Sequence, residues 1–155
     1  MAILKGLDVT KNNSLGQTYG YNEQLAIYNY FTTASTSNYI HFKTNQYKTF
    51  NQITTIEGVG YNYANSKPIK CRWSFYAHNN QVYNKGTTTH ANSGVDAHGM
   101  YMSSDGYAVI RAYASSTYFL GMILNAYTSG AGTHPFGGQV SILDVAYNGT
   151  AGSHF

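Results

Sequence analysis

The chain offers few groups able to do chemistry: six carboxylates (Asp8, Glu23, Glu57, Asp96, Asp105, Asp144), one thiol (Cys71) and six imidazoles (His41, His78, His90, His98, His134, His154). A glycan-cleaving enzyme needs two carboxylates flanking the scissile bond, one of them kept protonated by its surroundings. No two of the six form a local pair; Asp105 falls in a turn and Asp144 alternates within a strand, both structural positions. Cys71 shares a strand face with Trp73 and Phe75, where a thiol acts as a small hydrophobe. The histidines show neither H-x-H nor H-E-x-x-H spacing, so a metal site within one chain is weakly signalled. A symmetric trimer would repeat a single side chain around its axis, which makes His90, His98 and His154 the residues to consider as shared ligands. No G-x-S-x-G elbow and no phosphate-cradling glycine loop is present, so serine-hydrolase and nucleotide chemistry fall away. The expectation is a protein that is not an enzyme and needs no cofactor.

What remains is recognition. The 16 tyrosines are spread among Asn, Ser, Gly and Thr, a mixture suited to contact surfaces because Tyr joins a stiff apolar body to a polar tip. In strands, Tyr76, Tyr107 and Tyr113 are expected to pack, and in an oligomer to lie between subunits. In the polar stretch from Asn79 to Gly99, read as a long loop with one short strand near Gln81 to Asn84, the residues His78, Asn79, Asn80, Tyr83, His90, Asn92 and His98 are candidates for contact with a sugar-like surface. His134, in the Gly/Thr/Pro-rich stretch from Ser129 to Gly138, is a further candidate.

The elements that must position these groups read as strands. Helical periodicity built from Ala, Leu, Glu, Lys and Gln is absent. From Ile69 to Ala77 the chain alternates, with Ile69, Cys71, Trp73, Phe75 and Ala77 on one face and Lys70, Arg72, Ser74 and Tyr76 on the other. Gly106 to Tyr113 alternates likewise. Tyr118 to Tyr127 is apolar on both faces, as for a central strand covered twice, and is expected to form a hairpin with the strand before it. Val140 to Tyr147, Tyr39 to Thr44 and Ile53 to Tyr63 complete the set. Short strands and frequent turn residues predict an all-β, antiparallel β-sandwich or jelly-roll-like domain.

Composition narrows the classes further. Charged residues are 10% of the chain and the formal net charge is +3, with no dense basic stripe of the kind that tracks phosphates, which argues against nucleic-acid binding. No window reaches the length of an apolar membrane span, and MAILKGLDVTKNN lacks the basic and apolar regions of a signal peptide, so neither membrane insertion nor signal-directed export is expected. With one cysteine no intrachain disulfide forms.

Three phrases, Tyr39-Ile40-His41-Phe42-Lys43-Thr44-Asn45, Ile56-Glu57-Gly58-Val59-Gly60-Tyr61-Asn62-Tyr63 followed by Lys67-Pro68-Ile69, and Ser103-Ser104-Asp105-Gly106-Tyr107, resemble C-terminal domains of tailed-phage fibre and virion proteins, marine and cyanobacterial viruses in particular. The resemblance runs from Tyr39 to the C-terminus and is carried by strand and turn phrases. It implies the receptor-binding head of a homotrimeric tail fibre, located on the virion, made in the host cytoplasm and attaching to a host surface glycan or outer-membrane protein. On that reading residues 1–30 lead from a shaft or pack between subunits, and residues 31–155 form the head. A capsid-decoration or fibre-assembly protein is the alternative. No repetitive stalk precedes Leu25, which departs from the fibre pattern.

Overall fold

The computed structural model describes residues 8–12, 18–35, 38–129, 139–148 and 152–155, and in them the chain is all-β. Ten strands are formed: β1 (Asp8–Asn12), β2 (Thr18–Thr32), β3 (Asn38–Tyr47), β4 (Ile53–Asn62), β5 (Lys67–His78), β6 (Gln81–Thr89), β7 (Asp96–Met102), β8 (Tyr107–Ala114), β9 (Leu120–Ser129) and β10 (Ile142–Asn148). They make two antiparallel sheets, one of six strands in the order β1-β2-β9-β4-β5-β6 and one of four in the order β10-β3-β8-β7. Packed face to face, these form a β-sandwich.

The core follows from alternation. β5 buries Ile69, Cys71, Trp73, Phe75 and Ala77, β9 contributes Leu120, Met122, Leu124 and Ala126, and the opposing sheet supplies Ile40, Phe42, Ala108, Ile110 and Ala112. Trp73 is wholly buried, and its indole Nε1 donates to the Arg111 carbonyl of β8 at 2.8 Å, a polar link between sheets inside an apolar layer. A buried amide and hydroxyl cluster sits nearby: the Gln46 side-chain oxygen accepts from the Gln52 amide and from Thr54 Oγ1, and Thr44 Oγ1 donates to the Ala108 carbonyl at 2.7 Å. These groups are satisfied within the chain, so their burial is tolerated.

Three expectations about the strands are corrected. The stretch from Asn79 to Gly99 is mostly strand, because Asn79 and Asn80 take φ of 46° and 62° and make the two-residue turn of a β5–β6 hairpin, with His78 opposite Gln81. β8 and β9 are not a hairpin. The bend between them passes from one sheet to the other, held by buried Thr117, whose Oγ1 donates to the Ala34 carbonyl at 2.5 Å. β9 is central in its sheet, yet only its inner face is covered, for Ile123 on its outer face is 40% exposed. The division between residues 30 and 31 falls inside β2, whose Tyr30 is buried in the core.

β4 and β9 approach so closely that a Cβ on Gly60 would lie 2.0 Å from the Gly121 carbonyl oxygen. Gly60→Ala is therefore expected to lower the unfolding free energy by about 3 kcal/mol. Gly86→Ala, whose nearest heavy atom would be Ser74 Cβ at 4.0 Å, serves as the control and should change stability by less than about 0.5 kcal/mol. Urea denaturation followed by circular dichroism measures both, and equal losses would contradict this packing.

Candidate functional site

The alternation that buries Trp73 and Phe75 turns Arg72, Ser74 and Tyr76 to the outer face of the six-stranded sheet. Register then sets their neighbours. Ser74 lies between Thr55 of β4 and Gly86 of β6, and Thr55 lies in turn beside Tyr127 of β9. In the adjoining row Arg72 stands between Glu57 and Thr88. Thr55, Arg72, Ser74, Gly86, Thr87, Thr88 and Tyr127 line an open trough of about 490 Å³. Gly86 contributes by having no side chain, which keeps the floor low between Ser74 and the sheet edge.

The polar groups of the trough are pre-positioned. Arg72 donates through Nε and Nη2 to one oxygen of Glu57, both at 3.0 Å, and the Tyr127 hydroxyl donates to the other carboxylate oxygen at 3.3 Å. Thr55 and Ser74 hydroxyls are 2.9 Å apart. With Arg72 half exposed, the ion pair contributes on the order of 0.5 kcal/mol to stability; its main effect is to fix where the guanidinium stands, and Nη1 takes no part in the pair. Chemically this is a surface of hydroxyls, one fixed guanidinium and one aromatic wall, suited to hold a hydroxylated ligand. None of the lining residues is a carboxylate, and Glu57, buried beneath them, is committed to Arg72 and Tyr127.

Of the residues expected to bind, five lie along this same hairpin. Tyr83 pairs with Tyr76 across β5 and β6, and the His78 ring lies 5.8 Å from that of Tyr76 and 6.3 Å from that of Tyr83. Asn79 and Asn80 form the exposed tip, where Asn51 Oδ1 meets His78 Nδ1 at 2.5 Å. His90 is exposed at the far end of β6, its N–H donating to the Lys70 carbonyl at 3.0 Å. Asn92 lies in the turn beyond. His98 is on the other sheet, with its ring 4.7 Å from Tyr39, and His134 lies outside the described residues. Nothing in the sequence alone marks Glu57, Arg72, Thr55, Ser74, Thr88 and Tyr127 as contact residues. Only the β4–β5 and β5–β6 registers bring them together, and the clean alternation of β5 was the available signal for Arg72 and Ser74.

The tyrosines expected between subunits divide across the molecule. Tyr76 is half-buried in the outer face of the six-stranded sheet, whereas Tyr107 and Tyr113 are half-buried on the outside of the four-stranded one, next to Tyr47 and Tyr39. His90, His98 and His154 stand in three different places, and among the described residues no group of three His, Cys, Asp or Glu is arranged to hold a metal. Burial pushes the Cys71 thiol up to about 12, partly offset by its contact with the Gly58 carbonyl.

On the outside of the four-stranded sheet the last residues of the chain form a cover. The Tyr101 hydroxyl accepts from the backbone N–H groups of His154 and Phe155 at 3.0 and 3.3 Å, and the Lys43 ammonium lies 5.2 Å from the Phe155 ring while bridging to Asp105. Beneath this cover His41 is wholly buried, with Nδ1 3.0 Å from the Tyr101 hydroxyl and Nε2 unpartnered. Compared with family models, curated proteins and solved structures, the chain matches none.

Burial, then the neighbouring Arg111 and His154, lower the His41 pKa to about 4. The unfolded chain therefore takes up a proton near the ordinary value of 6.5 that the folded chain refuses. Stability from this residue is fully present above pH 6.5 and is lost as pH falls towards 4, by about 3 kcal/mol in total. Asp105, held below the usual carboxylate range by Lys43 and Ser103, adds loss only at lower pH. Urea midpoints measured across pH 7 to 4 should fall in the wild type and stay nearly level over that window in His41→Asn; parallel curves would contradict the assignment.

Proposed function

We propose that this chain is a non-enzymatic receptor-binding head of a tailed-phage fibre, carried on the virion and adhering to a host surface glycan or outer-membrane component. The observation that supports this is the trough, with fixed hydroxyls, a guanidinium held by Glu57 and the Tyr127 ring, and the Tyr76–Tyr83 pair further along the same sheet face. Such a site binds reversibly through hydrogen bonds and ring contacts and leaves the ligand intact. Weak single sites become firm attachment when several copies engage one surface together, which is where a homotrimer enters the proposal.

A second reading has its own support. Phe31, Tyr63, Tyr118 and Phe119 are all exposed and form a chain of ring contacts, with Tyr118 and Phe119 only 4.6 Å apart. Phe119 holds a positive φ of 50°, an uncommon backbone state for a bulky residue. An exposed aromatic group of this kind suits a protein–protein contact, as in a capsid-decoration or fibre-assembly protein.

Fluorescently tagged protein applied to candidate host cells separates the two. Receptor binding predicts attachment that falls by about tenfold in a Tyr83→Ala, His90→Ala double variant and is unchanged in Asn92→Ala, which lies past the trough. Loss on periodate treatment of the cells identifies a glycan. Binding that ignores both this double variant and Arg72→Ala, in the trough itself, would remove the trough and its flanks from the proposal, and attachment to viral particles alone would favour the structural role. Light scattering gives the assembly state as a multiple of 17.1 kDa.

A further inference from the structure

The trough does not end at Arg72. A second depression of about 280 Å³, lined by Lys70, Cys71, Arg72, Thr88, Thr89 and His90, shares Arg72 and Thr88 with the first. The two together follow the β5–β6 seam. From Lys70 to His78 the strand covers roughly 26 Å at its usual rise, and the outward side chains along it are Lys70, Arg72, Ser74, Tyr76 and His78. The seam thus passes from a basic end, through a hydroxyl-lined middle, to a cluster of aromatic rings and amides at the hairpin tip.

The charge along it is uneven in one direction. The second depression is lined by an ammonium, a guanidinium, an imidazole and two threonine residues, with no carboxylate. Glu57 holds Arg72 from the β4 side through Nε and Nη2, leaving Nη1 and the Lys70 ammonium outside the pair. A neutral glycan would make no use of this end. A compact anion would make no use of the remainder of the seam. Resting on the receptor-binding reading above, we propose that the ligand is an anionic polysaccharide lying extended along the β5–β6 seam, its acidic groups against Lys70, Arg72 and His90. Its ring hydroxyls meet Thr55, Ser74 and Thr88, and its apolar sugar faces meet Tyr127 and the Tyr76–Tyr83 pair. Carboxylate and sulfate sugars share this chemistry.

The test uses the full chain with fluorescein-labelled oligogalacturonate, dextran sulfate, neutral dextran and single-stranded DNA, followed by fluorescence polarisation. The expected result is binding of one or both acidic saccharides over dextran, weakened by about tenfold in roughly 0.5 M NaCl. Lys70→Glu should lower affinity by about tenfold or more and Lys70→Arg should retain it; Lys70 is exposed, and an unchanged melting curve checks the fold of both variants. Oligogalacturonate binding without dextran sulfate binding assigns a carboxylate sugar, and the reverse assigns a sulfated one. Equal binding of dextran, tighter binding of DNA, or indifference to Lys70→Glu overturns the proposal. If no saccharide binds while attachment to cells still depends on Tyr83 and His90, the anionic-glycan assignment fails and the receptor reading stands. If that attachment is also absent, both fail.

Discussion

The placement of Trp73 governs both sides of this molecule. Its indole is the largest side chain fully enclosed in the sandwich, and its single N–H, which would be costly to bury unpaired, reaches the Arg111 carbonyl of the opposite sheet. That bond fixes β5 against β8. Because side chains alternate along a strand, fixing Trp73 inward also fixes Arg72 and Ser74 outward, and sheet register then places Glu57, Thr55, Thr88 and Gly86 beside them. A slip of one residue would bury Arg72 and expose the indole, so core packing and the shape of the trough are one constraint seen from two faces.

Legibility followed the strength of that alternation. β5 was readable because five apolar residues alternate with four polar ones, and both the core face and the outward position of Arg72 follow directly. β6 was not, for among its nine residues only Val82 is buried, so it has no apolar face to announce a strand. It exists because β5 offers it a ladder and the Asn79-Asn80 pair tolerates the left-handed backbone that a tight hairpin needs. That dipeptide was the signal to read. The β8–β9 crossing is hidden for the opposite reason: proximity in sequence suggests a hairpin, while burial of Thr117 and the left-handed Phe119 carry the chain across the sandwich. Within the site, His78, Tyr83 and His90 were found as residues of a polar, aromatic stretch. The Glu57–Arg72–Tyr127 arrangement joins three strands and becomes visible only with the register.

The four-stranded sheet is closed off differently. Its outward residues His41, Lys43, Tyr101 and Arg111 are aromatic or basic, and the last residues of the chain lie over them through backbone bonds to the Tyr101 hydroxyl. Tyr107 and Tyr113 are already engaged there with Tyr47 and Tyr39. An interface built on those tyrosines would have to work around this cover. The apolar outer surface of the six-stranded sheet, where Phe31, Tyr61 and Ile123 are exposed, has no comparable cover among the described residues.

Both the exposed apolar end and the trough belong to that one outer surface, and their separation decides whether they can serve at once. Tyr61 lies opposite Pro68, and Glu57 opposite Arg72, so the two regions are about four residues apart along β5, roughly 13 Å. The apolar end gathers around Tyr61, Gly121 and Phe31, near the crossings that carry Tyr63 and Phe119, while the trough begins at Glu57 and Arg72 and runs towards the β5–β6 tip, with Lys70 and the second depression between the two. On the proposed reading, an oligomer formed through the aromatic end would leave each trough and each hairpin tip facing outward, whereas Lys70, two residues from Pro68, would lie at the border of that contact.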